Sequence, residues 1–332
     1  MQWCRFAVDT KPFCVWDHDL RDRNLGFLDG LDPGYFMYLA ESHLEAMEGK
    51  NAKRAALALR AAYHHAIESL MALIFASVQA PGCVPGWLHK YEITDLRNLL
   101  TKARNHQPIL TCVPIPESGW HGIAQAVLRF MQLEDREKEA KIKRGFGDAW
   151  LRFASDFLEP NAAQEYNSIK HGFRARSGGF RLAIGVEDTP GVPAPPEKMQ
   201  LMGGSEHGST FFVPERIGQS KMHLRLRSVS RNWLPMNLAH GLALIEMSLR
   251  NVVSFVKILN RVDPRTVQYV WPTGEEDPFW LPWSSESPGV TDISGFDTSV
   301  SEKDIKAFTQ EEILSVYART DEPDVPAAPS SP

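Results

Sequence analysis

The sequence predicts a mainly α-helical fold, a helical bundle with an inserted small antiparallel β-meander. Three observations lead there. Two long stretches, 55–80 and 238–259, are apolar over most of a helical surface. Between them the helical period gives way to alternation from Phe180 onward. Prolines and glycines mostly fall between the periodic runs. The implied division is an N-terminal arm or hairpin at 1–31, the bundle at 32–178 and the meander at 179–234. A long helix at 235–262 then returns to the bundle, and a Trp/Pro-rich acidic tail at 263–332 is disordered at its end.

The elements follow in order. Trp3–Val8 and Phe13–Trp16 flank Lys11-Pro12 and read as a short hairpin. Asp32-Pro33 looks like an N-cap with proline at the first helical position. Its helix places Tyr35, Phe36, Leu39, His43, Leu44 and Met47 on one face and ends near Gly49. Asn51 opens a longer helix that stops before Pro81-Gly82. Thr94 or Asp95 caps the next, with Leu96, Leu99, Leu100 and Ala103 inward and Pro108 as its stop. A fourth runs from about Gly119 to Met131. The run EDREKEAKIKR at 134–144 reads as a solvated helix with Glu134–Lys138 and Glu137–Lys141 pairs, continuing to Phe157. A sixth helix spans about Asn161 to Arg174.

Phe180, Leu182 and Ile184 then alternate as a strand, and 187–208 reads as a long loop. Strands follow at Thr210–Ile217 and Lys221–Arg231, the latter with Met222, Leu224 and Leu226 on one face. Leu234-Pro235 opens the last long helix, which ends before Asp263-Pro264. The tail holds Trp271, Phe279, Trp280 and Trp283, expected to pack against the rest of the chain, and a short helix at 302–317.

Composition bounds the function classes. The two apolar helices are each interrupted by charges, Arg60 and Glu68 in one, Glu246, Arg250 and Lys257 in the other, so no membrane partner is expected. The four cysteines, Cys4, Cys14, Cys83 and Cys112, show neither C-x-x-C nor zinc spacing. With a charged N-terminus lacking an apolar leader run, this leads us to expect a cytoplasmic protein. From Gly274 onward thirteen acidic residues face Lys303, Lys306 and Arg319, a charge of −10, so the rest carries +5. Such a body permits an anionic partner, and the acidic tail permits a protein partner. No glycine-rich phosphate loop or nucleophile elbow occurs, and neither a cofactor nor a metal is expected.

Three clusters are candidate sites. Asn167, Lys170, His171 and Arg174 recur at i, i+3, i+4 and i+7, so a helix through them presents an amide, two cations and an imidazole on one face. Such a face can hold a phosphate, and the histidine can move a proton; the bland alternative is a solvated face suited to a helix C-terminus. Tyr166, Ile169 and Phe173 fall on the opposite, packed side. Arg60 and His65 form an Arg-x4-His spacing, and Arg60, His64 and Glu68 align at i, i+4 and i+8. That stripe reads as a catalytic pair, as a metal set of His64, His65 and Glu68, or as a polar edge of a core helix. Lys221, His223, Arg225, Arg227 and Arg231 share one face of a strand, a candidate anion-binding surface, with a solvated face or a dock for the acidic tail as the alternatives.

The wording Tyr166-Asn167-Ser168-Ile169-Lys170-His171-Gly172, late in an apolar bundle, resembles the histidine-bearing helix of HEPN-type proteins. The resemblance covers the helices between Asp32 and Arg174. It implies an all-helical fold, often dimeric, from bacterial toxin and defence systems. It also implies an RNA or nucleotide partner and, in catalytic members, metal-independent RNA cleavage by an Arg-x(4–6)-His motif. In that motif His171 would move the proton and an arginine would steady the phosphate. Here the arginine position falls on Tyr166, Glu165 or Gln164, none of them basic. The resemblance therefore implies a non-cleaving relative, or a site completed by Arg174 or by another helix.

Overall fold

The computed structural model describes residues 1–317 apart from 173, 275, 285–286 and 295–299. The chain divides into two compact units, 1–211 with 229–293, and 212–228 with 294–332.

The first unit is mainly helical. It opens with a hairpin of β1 (Gln2–Val8) and β2 (Lys11–Asp17), paired Val8 to Lys11 and Gln2 to Asp17. The turn is Asp9-Thr10 rather than Lys11-Pro12, with Asp9 at φ 53°, a conformation that aspartate tolerates better than most residues. Helix α1 (Leu20–Asp29) follows, within the 1–31 segment expected to be an arm or hairpin. Then come α2 (Tyr35–Ala46), α3 (Ala52–Gln79), α4 (Val84–Lys90) and α5 (Ile93–Arg104), and after a loop α6 (Trp120–Val127), α7 (Arg136–Leu158) and α8 (Pro160–Lys170). Helix α9 (Pro235–Leu259) packs against α3 and α2.

Helix α3 is the centre. From Leu70 to Gln79 every residue is buried, because α2, α5, α7 and α9 surround it. By length and composition α3 could cross a membrane, but 78% of its most apolar window is buried inside the protein. Helix α9 approaches closely through Gly241, where a Cβ would lie 2.7 Å from the Tyr63 ring. Trp150 of α7 donates its indole N–H to Ser248 of α9 at 2.9 Å, which satisfies a polar atom in the core. Of the tail aromatics, Phe279 meets Phe146 edge-on at 5.0 Å and Trp283 meets Phe153 at 5.5 Å, Trp271 packs against the core, and Trp280 is exposed.

The strands depart from the expected meander. β3 (Ala175–Ser177), β6 (Gly208–Arg216), β7 (Leu224–Asn232) and β8 (Asp292–Ser294) form one sheet in the order β3-β6-β7-β8. β4 (Arg181–Ile184) pairs instead with β5 (Gln200–Gly204), inside the segment expected to be loop. Gly203 and Gly204 read as loop formers, but they serve a close approach: a Cβ on Gly204 would sit 2.7 Å from the Arg181 Cα. β7 also turns over. Val229 is buried, so alternation along the strand sends Leu224 and Leu226 outward, at 54% and 61% exposure, and Met222, just before the strand, is 49% exposed.

The second unit holds the distal ends of β6 and β7, a 3-10 turn at Glu302–Asp304 and α11 (Gln310–Ser315); a short α10 (Leu281–Ser284) belongs to the first unit. Ile217 N–H donates to the His223 carbonyl at 3.0 Å to close the β6–β7 turn, with Gly218 at φ +64°. The part of the tail expected to be disordered lies outside the described residues from 318 onward.

Candidate functional site

Helix α3 is apolar nearly throughout, so its polar stripe must find partners inside the fold. Arg60 does so with Glu165 of α8, donating Nε and Nη2 to Oε2 at 3.0 and 2.8 Å. Glu165 is fully buried. Its other oxygen accepts from Ser209 Oγ at 2.5 Å and from Trp233 Nε1 at 3.0 Å. The pairing of β3 with β6 brings Ser209 there, opposite Ser177. Arg231 reaches the same carboxylate at 3.6 Å and also pairs with Glu159 at 2.9 Å and Asp292 at 2.7 Å. Burial opposes the charge on Glu165, but Arg60, His64 and Arg231 outweigh it and hold its carboxyl well below the usual carboxylate range.

His64 lies one turn along α3, with Nε2 3.5 Å from Glu165 Oε2 and no hydrogen bond on that nitrogen. Burial, helped by the charge of Arg60, pushes His64 down to about 4 against the pull of Glu165. Its ring is neutral near pH 7 and is a weak base there. The preceding residue, Tyr63, donates to Asp156 of α7 at 2.9 Å.

Above this floor opens a cleft of about 460 Å³ lined by His64, Glu68, Arg97, Tyr166, Asn167 and Lys170, with Phe157 and Ile93 supplying apolar walls. The Tyr166 ring is half-buried, lies 5.4 Å from the His64 ring and has the Lys170 ammonium 5.8 Å from its centre. Arg97 is committed to the end of α7, donating to the carbonyls of Phe157 and Leu158 at 3.3 and 3.2 Å.

The sequence-predicted residues divide. Asn167 and Lys170 line this cleft. His171 and Arg174 do not, because α8 ends at Lys170 and Gly172 turns the chain at φ +76°. His171 is the exposed C-cap and Arg174 stands exposed in the turn before β3, so the expected four-residue face stops at two. Tyr166, expected on the packed side, lines the cleft, and the expected packing of Phe173 lies outside the described residues. Arg60 and His65 do not meet: five residues turn a helix by about 140° past a full turn. His65 is exposed with its ring 5.3 Å from Phe36, while Arg60 is buried on Glu165. His64, His65 and Glu68 form no metal cluster among the described residues.

The basic strand face is the better-covered side of β7. Arg227 is ion-paired with Glu215 at 2.5 Å, and His223 Nε2 accepts from the Phe308 N–H at 3.2 Å. Arg231 enters the buried network, Arg225 has an interaction of its own, and Lys221 is exposed just before the strand. Sequence reasoning missed Glu165, Ser209 and Trp233. The available signal was Arg60 itself, since a guanidinium on a core helix requires a buried carboxylate.

The fold and the cleft together define a class, a mainly helical protein with a polar cleft above a buried arginine–glutamate pair. No family model, curated protein or solved structure matches the chain.

Proposed function

We propose that this protein binds RNA or another phosphate-bearing ligand in the cleft between α3, α5 and α8 and does not cleave it. The observation that carries this reading is Tyr166, a half-buried ring flanked by the Lys170 ammonium and the Asn167 amide at the mouth of a cleft. A base stacks on such a ring, an amide reads its edge and the ammonium takes its phosphate. The floor argues against catalysis: Arg60 is committed to Glu165, and His64, at about 4, is a poor base near neutral pH. The HEPN-like wording of α8 fits the same reading and brings with it a bacterial defence or toxin setting, a cytoplasmic location and a homodimer. The test is fluorescence anisotropy with a labelled RNA decamer and with a labelled mononucleotide. Binding should weaken on Tyr166→Ala and show a smaller salt slope on Lys170→Gln. Absence of saturable binding to either probe at low salt removes the proposal, and a light-scattering mass tests the dimer.

A second reading, a non-catalytic interaction scaffold, is favoured by the exposed row of Met222, Leu224 and Leu226 in the second unit. The third, a metal-independent ribonuclease, predicts RNA cleavage that survives a chelator and disappears in His171→Ala.

A further inference from the structure

A second cleft, of about 820 Å³, lies between α6 and α7 and shares no residue with the first. Its walls are two facing stripes. His121, Gln125 and Arg129 follow one another at i, i+4 and i+8 along α6 and just past its end; Arg136, Ala140, Lys143, Arg144 and Asp148 recur at helical spacing on α7. These residues include much of the charge run that the sequence suggested was only a solvated face.

The cleft is built around His121. Its Nε2 lies 2.8 Å from Asp148 Oδ1, across the two helices. The carboxylate accepts, so in the neutral ring Nε2 carries the proton and Nδ1 is left as an acceptor. Gly147 makes room for this ring, since a Cβ there would sit 2.6 Å from His121 Cδ2. The acids in the cleft are largely committed. Asp148 faces His121, and Glu139 accepts from Lys143 at 2.7 Å, Arg136 at 3.0 Å and the Leu133 N–H at 3.0 Å. Glu117 accepts from Gln125 at 3.2 Å.

Two guanidiniums are not committed. Arg129 is held by aromatic faces, 4.7 Å from the Phe130 ring and 5.3 Å from Phe255, and its Nε is buried with no hydrogen-bond partner. Arg144 is exposed on α7, and neither arginine has a carboxylate partner among the described residues. Arg129, held by packing, and Arg144, exposed beside it on the cleft wall, lack a counter-ion and suit a phosphate, which each can grip through two hydrogen bonds. The volume falls within the range of small-molecule sites, about 300–1,000 Å³.

We propose that this cleft is a second ligand site, for a small phosphorylated metabolite whose phosphate is held by Arg129 and Arg144 and hydrogen-bonded by His121. The inference does not depend on RNA binding in the first cleft. The test is titration of the full chain with inorganic phosphate and with adenosine 5′-monophosphate, followed by calorimetry and by the ring-nitrogen resonances of ¹⁵N-labelled histidines, with His121→Gln assigning the signal. Both probes should move the His121 resonances. Arg144→Gln, an exposed change that leaves folding intact, should weaken binding about tenfold, the loss of one charge-assisted contact. Arg129→Lys, which keeps the charge, should weaken it too, while Lys170→Gln should leave it unchanged. Unmoved His121 resonances, or affinity indifferent to Arg144→Gln, overturns the proposal. So does an RNA decamer that displaces phosphate from His121 where the mononucleotide does not, because the ligand is then a nucleic acid.

Discussion

The two clefts use charge in opposite ways. Beneath the α3–α8 cleft, Arg60 and Glu165 are buried and paired, and the partly buried Arg231 reaches the same carboxylate. In the α6–α7 cleft, Arg129 and Arg144 stay half-buried or exposed without a carboxylate. A fully buried charge must find its counter-charge within the fold, because several kcal/mol of desolvation would otherwise go uncompensated. An exposed cation at the lip of a cleft, as Arg144 is, stays hydrated and can wait for a ligand. Burial and pairing therefore separate residues that hold the molecule together from residues available to bind. Arg60 looked functional in the sequence and is committed to Glu165 here; Arg144 looked like plain surface and lines a cleft.

The largest effect should come from breaking the buried pair. Glu165→Gln leaves Arg60 without its counter-ion and Ser209 and Trp233 facing a neutral amide, so stability should fall by about 3–5 kcal/mol. Chemical denaturation of the purified variant measures this. A loss below 1 kcal/mol would mean that water reaches Arg60 and that the contrast between the clefts is false.

Next comes pH. His64 titrates at about 4 in the fold and at about 6.5 in the unfolded chain. Between those values the unfolded chain takes up a proton that the folded chain refuses, so stability falls as pH drops from 6.5 to 4, by about 3 kcal/mol in total. Above pH 6.5 the group contributes no slope. Glu165, held below its usual range, acts in the same direction but only at lower pH, as it protonates. The groups facing His64 are Arg60, Glu165, Arg231 and Tyr166. His64→Gln should flatten the stability curve across that window, and an unchanged slope would show that His64 is hydrated.

Gly147→Ala should have a smaller effect, about 1–3 kcal/mol, because the new methyl meets His121 where the helices already touch. It should also displace His121 from Asp148, so the histidine ring resonances report it separately from stability. A neutral Gly147→Ala would mean that the ring moves freely, which would weaken the case for a built site.

How much of this was legible in the sequence follows from how local each cause is. The helices that core α3, α7 and α9 announce were readable because apolar period and proline stops are local. Helices α1 and α4 are short, seven to ten residues, and too brief to show a period. Strand pairing was not legible, since β4 finds β5 across the proline-rich stretch and β3 finds β6 more than thirty residues away. The orientation of β7 follows Arg231 and the buried Val229, and the partners of Arg231 come from α8, Glu159 and the tail. In the site, Asn167 and Lys170 could be placed from spacing alone. Glu165 could not, because its meaning depends on Arg60, 105 residues earlier.

The smallest expected effect belongs to His171, the residue that the sequence marked most strongly. It is the exposed cap of α8, its backbone N–H donates to the Asn167 carbonyl, and its side chain lines neither cleft. His171→Ala keeps that backbone bond, so stability should change by less than about 0.5 kcal/mol, the usual range for a surface site. Affinity for an RNA decamer should also hold, whereas Lys170→Gln, one residue earlier but inside the cleft, should weaken it. The pair of variants makes a sharp comparison, because the two residues are neighbours at the same helix end and only Lys170 lines the cleft. Equal losses would mean that charge alone attracts the ligand and that the cleft has no role. A larger loss in His171→Ala, or RNA cleavage that this variant abolishes in the presence of a chelator, would return the histidine to the centre of the chemistry and replace the binding reading with the ribonuclease one.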